Sequence, residues 1–125
     1  MTDILKQTHY WLNQSDSDLE TAQLLLKNSR ILHSLFFCHL AIEKAIKAKV
    51  VVSTNDFAPK SHNLFYLTEK AKLTLPDEYE ALCGTLMKYQ LEGRYPDFEP
   101  EVPAELKAAE IFAKTSEFQE WLKIK

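Results

Sequence analysis

The segment from Ile31 to Val52 constrains the fold of this chain more than any other. Fifteen of its 22 residues are apolar, and the polar ones are not spread evenly. His39, Glu43 and Lys47 follow one another at a spacing of four residues, so on a helix they form one polar stripe along an otherwise apolar rod. We expect this helix to be buried, with its ionisable groups facing a partner chain, a ligand or each other.

The composition favours helices over sheets throughout the chain. Glycine occurs only twice in 125 residues, whereas sandwiches and barrels need many tight turns. With 46% hydrophobic and 26% charged residues, the chain is typical of one domain over residues 1–125. The sequence therefore predicts an all-α fold, an antiparallel bundle of about five helices of which three are long.

Periodicity and breaking residues give approximate bounds for these helices. They are Thr2–Lys27, Ile31–Val52, a short helix capped by Ser61, a helix from Thr74 to near Gly93, and a last helix from near Pro103.

Three local features refine these helices. The Ser15–Asp18 run could cap a new helix and so break the first one. Val50–Val52 favour a strand locally, but we expect packing to keep them helical or to fray the helix end. The last helix is predicted to point Leu106, Phe118 and Leu122 inward.

Several classes of function find no support in the sequence. Cys38 and Cys83 lie in apolar surroundings without CxxC spacing, which predicts reduced, buried thiols in a cytoplasmic protein. The four histidines lack metal-site spacing and no glycine-rich phosphate loop occurs, so we expect neither a metal nor a cofactor. No signal peptide or membrane span is predicted.

Charge argues against general binding of RNA. The net charge is −3 and the pI about 5.8, which does not favour non-specific attraction of nucleic acid. Residues 31–52 carry a local charge of +2, whereas residues 77–105 hold eight acids against Lys88 and Arg94. Any phosphate site must therefore be local and include lysines such as Lys44 and Lys47.

Arg94 is the sharpest single candidate for recognition. It follows a predicted helix end in a loop stiffened by Pro96, and its planar guanidinium suits a phosphate or a carboxylate. A structural role explains the position of Arg94 equally well: it could pair with Asp97 or Glu92 and cap the preceding helix. His39 could act as a base held by Glu43, or be a satisfied core histidine.

Three motifs in this order resemble the HEPN domain family of small helical proteins associated with nucleotides and RNA. They are Ala-Ile-Glu-Lys-Ala-Ile-Lys-Ala (Ala41–Ala48), Ser-His-x-Leu (Ser61–Leu64) and Arg-Tyr-Pro-Asp (Arg94–Asp97). The resemblance implies a four-helix up-and-down core, a homodimer, and a minimal nucleotidyltransferase as partner in a two-component, toxin–antitoxin-like module. It also implies a ligand site, whose candidate residues are Arg94, Tyr95, Asp97, His39, Glu43, Lys44 and Lys47.

The resemblance breaks down at the catalytic motif. Ribonuclease members of the family follow the arginine with a histidine at a short spacing, whereas this chain has Glu99, Pro100 and Glu101 there and no histidine after His62. The favoured hypothesis is a non-catalytic HEPN protein that binds a nucleotide or its partner. One alternative is an active ribonuclease toxin in which His39 or His62 is the base and Arg94 assists. The other is a purely structural subunit.

Overall fold

The computed structural model describes residues 3–91 and 100–125, and the regular structure in these ranges is helical. Five helices follow one another: α1 (Ile4–Lys27), α2 (Ile31–Thr54), α3 (Leu64–Lys70), α4 (Asp77–Met87) and α5 (Glu105–Ile124). The predicted all-α bundle is confirmed. So are its three long helices, because α1, α2 and α5 contain 24, 24 and 20 residues.

α1 and α2 are joined by a three-residue turn. Ser29 adopts a left-handed backbone conformation there, with φ of 59°, and the side-chain amide of Asn28 donates a hydrogen bond to the carbonyl of Leu24. This bond satisfies a carbonyl at the helix end. The Ser15–Asp18 run lies inside α1 and does not break it.

Two side-chain hydroxyls fix how α1 lies on α2. Ser15 donates to the carbonyl oxygen of Ala41 at 2.6 Å, and Ser34 donates to that of Ala22 at 2.7 Å. The earlier residue of α1 in these pairs contacts the later residue of α2, and the later residue of α1 contacts the earlier residue of α2, so the two helices are antiparallel. All four residues are small and fully buried, which lets the two backbones approach closely.

α2 lies at the centre of the bundle and packs against each of the other four helices. Val50–Val52 are helical, as expected, because the flanking helices bury Val50 and Val51 and packing outweighs their strand preference. The helix continues to Thr54. It ends at Asn55, whose left-handed conformation (φ 56°) lets its N–H bond to the carbonyl of Val51.

The cap of α3 differs from the prediction. Asn63, not Ser61, is the N-cap, and its side-chain oxygen accepts the N–H groups of Phe65 and Tyr66 at 3.0 and 3.2 Å. Ser61 instead accepts the N–H of Asn63. Asparagine is as good a cap as serine, and the turn formed by Ser61 delays the helix by two residues.

α4 is shorter than predicted at both ends. It begins at Asp77 and ends at Met87 rather than near Gly93. The N–H groups of Lys88 and Tyr89 bond three residues back, to Thr85 and Leu86, which tightens the last turn. Tyr89 is thereby carried into the core, where it is buried.

α5 begins two residues after the predicted start and buries Phe118 and Leu122, as its periodicity indicated. Phe118 stacks on Tyr79 of α4 with ring centroids 4.6 Å apart. The prediction for Leu106 is wrong: it is 77% exposed. Leu106 lies about 120° from Phe118 around an ideal helix, so the helical period itself places it on the exposed side, and Ala108 is the residue buried in this part of the helix.

Both cysteines are free and buried, as predicted. Burial raises the pKa of each thiol to about 12. A hydrogen bond with Thr115 acts in the opposite direction on the pKa of Cys38, whereas the charge of Glu80 raises that of Cys83 further. Such thiols are inert at neutral pH. Within residues 3–91 and 100–125, none of the helices combines the length and apolar character needed to cross a bilayer.

Candidate functional site

Four ionisable side chains meet where α2 passes under the segment that leads into α3. His39, Glu43 and Lys47 come from successive turns of α2, and His62 lies one residue before the cap of α3. We call this set the Glu43 cluster. Glu43 is only 2% exposed, and His39 and Lys47 are also buried. The 3.6-residue period of α2 places its three members on one face, and the turn before α3 supplies the fourth.

Glu43 is the acceptor at the centre of the cluster. Its Oε1 lies 2.9 Å from Nδ1 of His62, and its Oε2 lies 3.1 Å from Nζ of Lys47. A carboxylate accepts only, so Nδ1 of His62 carries the hydrogen in this contact. The His62 side chain remains 48% exposed while Glu43 beneath it is buried. One imidazole thus links the surface to an internal carboxylate.

His39 holds the same segment by its backbone. Its Nε2 lies 2.9 Å from the carbonyl oxygen of His62 and must therefore donate. Burial lowers the pKa of His39, and this outweighs the nearby charge of Glu43, which raises it. The ring is therefore neutral at pH 7. Among residues 3–91 and 100–125, Nδ1 of His39 has no hydrogen-bond partner. It lies 3.7 Å from Oε1 of Glu43, which is too far for a hydrogen bond, and a neutral ring forms no ion pair.

Lys47 is enclosed between the carboxylate and an aromatic ring. Its ammonium group lies 5.2 Å from the ring centroid of Trp11 on α1, within the range of a cation–π contact. Together with the Glu43 contact this leaves Lys47 only 6% exposed. The indole Nε1 of Trp11 is buried and has no hydrogen-bond partner within the part of the chain that the structure describes. The pair is a buried salt bridge, whose desolvation cost offsets much of its Coulomb attraction.

The lowered pKa of His39 predicts how stability depends on pH. The unfolded chain binds a proton on this histidine at a higher pH than the folded chain does, so the folded state loses stability as pH falls below about 6.5. The free energy of unfolding of the wild type should therefore fall with falling pH. We expect His39→Gln to reduce the slope of this free energy against pH by up to about 1.4 kcal/mol per pH unit between pH 7 and 5. Urea unfolding at several pH values measures it.

The exposed His33 provides the control, because it lies on the same helix outside the cluster. His33→Gln should leave the slope of the wild type unchanged. A slope that is the same in the wild type and in His39→Gln would contradict the neutral, buried state of His39.

The structure joins some of the predicted site residues and separates others. His39, Glu43 and Lys47 lie together, and His62 joins them from another segment. Lys44 does not: its Nζ lies 2.7 Å from Oδ2 of Asp18 on α1. Arg94, Tyr95 and Asp97 lie outside the described residues.

The structure shows what the polar stripe of α2 faces. A partner chain, a ligand or each other were the expected alternatives; Lys47 contacts Glu43 within the stripe, and α1 and the segment before α3 cover it within one chain. Trp11 of α1 covers Lys47. It is 36 residues away in sequence, and no local pattern in the sequence indicates this contact. Among residues 3–91 and 100–125, no group of three or more His, Cys, Asp or Glu side chains is placed to hold a metal ion.

The profile of the HEPN domain family matches residues 8–125, nearly the whole chain, and this range includes the three motifs. The chain belongs to the HEPN domain family. Among solved structures, this HEPN chain is similar to the protein TT1696 from Thermus thermophilus, with a TM-score of 0.76 and 23% identity over 94% of this chain and 96% of the other. At that identity the likeness shows the fold alone. No curated protein matches the chain.

The arrangement in this HEPN domain suits two kinds of chemistry. A carboxylate that accepts Nδ1–H of an imidazole fixes the tautomer, so Nε2 becomes the proton-accepting atom. If that nitrogen gains a proton, the imidazolium can donate to an anion while Glu43 balances its charge. Both uses require the ring to reach the surface, and His62 is the member of the cluster that does.

Proposed function

We propose that this HEPN protein binds the phosphate of a nucleotide at His62 and works beside a minimal nucleotidyltransferase in a two-component, toxin–antitoxin-like module. One observation carries the proposal: a half-exposed imidazole is held by a buried, ion-paired carboxylate. Replacing a buried ion pair by apolar residues often stabilises a protein, so stability alone is a weak reason to keep one. Ionisable groups that are perturbed by burial together with a specific charged partner cluster at functional sites.

The residues assigned to this site follow from their contacts. His62 would contact the ligand, Glu43 would hold His62, and Lys47 would balance the charge of Glu43 from within. Lys44 remains in the proposal on the resemblance, with its ammonium group paired to Asp18 rather than to the Glu43 cluster. The family motif at Arg94–Asp97 adds Arg94, Tyr95 and Asp97 to the proposal on the resemblance alone.

The partner and the assembly are proposals of the same kind. Membership of the HEPN family supports a nucleotidyltransferase partner, a homodimer and a cytoplasmic location. Because α1 and the segment before α3 cover the polar stripe of α2 inside one chain, we place the homodimer interface on another surface.

Binding can be tested by thermal unfolding with ATP, GTP, CTP and UTP. A ligand that binds only the folded state, at 100 times its Kd, adds about 2.7 kcal/mol to the free energy of unfolding. We expect at least one nucleotide to raise Tm by several degrees, and His62→Gln to abolish the shift. His33→Gln is the matched control and should retain it. A Tm that no nucleotide changes would leave the purely structural subunit as the better hypothesis.

The contact between Glu43 and His62 also favours a second candidate, a ribonuclease that uses His62 as its base. A carboxylate-held imidazole can take the proton of a ribose 2′-hydroxyl. Of the two candidate bases we favour His62, because His39 is fully buried and its Nε2 bonds to a carbonyl oxygen. The assay is cleavage of a mixed RNA pool by the wild type and by His62→Gln. Robust cleavage that is lost in the variant would favour this candidate over a binding protein.

A further inference from the structure

A groove lies between α3 and the start of α4, and no member of the Glu43 cluster lines it. Two cavities of about 350 and 450 Å³ open there. Phe65 and Glu80 line both of them, so the two cavities adjoin and form one groove. The connection between the helices contributes Leu73 and Leu75 to its wall.

The floor of the groove is apolar and stays open to solvent. Phe65 is 43% exposed, and its ring reaches across to α4, where a Cβ added to Gly84 would lie 3.9 Å from its Cζ. Leu73 and Leu75 are half-buried and pack against the core beside it. Ala81 of α4 is exposed and small, which leaves the groove room. The groove therefore offers apolar area that a partner can remove from water.

The rim of the groove is acidic. Glu69, Asp77 and Glu80 line the cavities with exposed side chains, and none of them forms an ion pair within residues 3–91 and 100–125. No lysine or arginine of these ranges lines either cavity. The dipole of α4 favours acids in its first turn, but Glu69 lies in the last turn of α3, where the dipole disfavours a carboxylate. The stability of the helices thus leaves the charge of Glu69 unexplained.

The spacing of the acids decides what kind of cation fits. In the part of the chain that the structure describes, no group of three or more His, Cys, Asp or Glu side chains is placed to hold a metal ion. The three carboxylates are therefore spread along the groove rather than directed at one point. Separate lysine or arginine side chains of a polypeptide match such an arrangement.

We infer that the groove docks a basic amphipathic helix of a partner protein, with an apolar side chain on Phe65 and lysine or arginine side chains along the acidic rim. This inference goes beyond the proposed function and needs no ligand at His62. The apolar floor supplies affinity, and the rim sets the orientation of the partner. An extended peptide fits less well, because the regular structure of the described residues is helical and offers no strand edge for it to pair with.

The experiment lets the protein choose its own ligand. A phage library of random peptides is selected on the full chain, and the enriched peptides are synthesised and titrated by fluorescence anisotropy. We expect them to carry apolar residues at helical spacing with lysine or arginine between them, and to become helical on binding by circular dichroism. Added salt should weaken their binding, because the charges at the rim are exposed.

Glu80→Lys and Ala81→Trp test the rim and the floor. Glu80→Lys should weaken binding of the enriched peptides about tenfold or more, since it places like charges together. Ala81→Trp fills the groove from an exposed position, so it should abolish binding without lowering Tm. Glu20→Lys is the matched control: it makes the same change of charge at an exposed position of α1, outside the groove, and should retain binding.

Each outcome bears on the groove alone. If no peptide is enriched on the wild type, or if the enriched peptides lack lysine and arginine, the inference is wrong. It is also wrong if these peptides bind Glu80→Lys and Ala81→Trp as tightly as the wild type. None of these results changes the proposed nucleotide binding, and a protein that binds no nucleotide can still dock the helix.

Discussion

Glu43→Ala should lower the free energy of unfolding by about 3–5 kcal/mol. The substitution removes the acceptor from Lys47, whose ammonium group is 6% exposed and lies against the ring of Trp11. An unpaired buried charge is far more costly than the pair, because its desolvation is no longer offset. A loss of this size is a large fraction of the stability of a typical domain. Urea unfolding followed by circular dichroism gives the value.

A double variant separates the unpaired charge from the lost volume. Glu43→Leu combined with Lys47→Met removes both charges and keeps the site filled, so it should recover most of the stability that Glu43→Ala loses. His62 loses its acceptor in both variants, but its ring is half exposed and can be solvated. A loss under about 1 kcal/mol in Glu43→Ala would mean that the pair is hydrated rather than buried.

Phe118→Ala should have a similar effect, about 3–5 kcal/mol, for a different reason. Phe118 is fully buried on α5 and stacks on Tyr79, with its ring 6.1 Å from that of Trp121. The substitution removes a large apolar side chain and leaves a cavity between α4 and α5. The same urea titration measures it.

Ile124 is the matched control, because it lies on the same helix and is 82% exposed. Ile124→Ala should change the free energy of unfolding by no more than about 0.5 kcal/mol. Equal losses in Phe118→Ala and Ile124→Ala would show that α5 is not packed through Phe118.

The sequence predicts the long helices well because their signals are local. The apolar character of α2 and the polar spacing along it follow directly from the helical period, so its length and its stripe could both be expected. Inside α2 the strand preference of Val50–Val52 is a small effect, and packing overrides it. The ends of helices were less predictable, since α3 is capped by Asn63 and α4 stops where Tyr89 turns inward.

The site was predictable only in part. Periodicity places His39, Glu43 and Lys47 on one face, but it does not say what that face meets. His62 reaches Glu43 across 19 residues, and Trp11 reaches Lys47 across 36. Such contacts depend on how the helices pack, and one sequence carries no direct signal for them.

Lys44 and Leu106 show two limits of the sequence pattern. The ion pair of Lys44 with Asp18 on α1 depends on how the two helices pack, and one sequence carries no direct signal for it. Leu106 was placed on the inner side of α5 although the helical period puts it about 120° from Phe118, and the structure leaves it exposed. The helical period gives relative positions on one helix, and tertiary packing sets their orientation.

The two attachments of His62 also connect the site to the start of α3. The next residue, Asn63, caps α3 through the N–H groups of Phe65 and Tyr66, both of which are partly exposed. With its ring on Glu43 and its carbonyl on His39, His62 cannot move far without disturbing either the bond from His39 or the cap. A shift of the His62 imidazole would therefore also shift the start of α3 and the exposed rings of Phe65 and Tyr66.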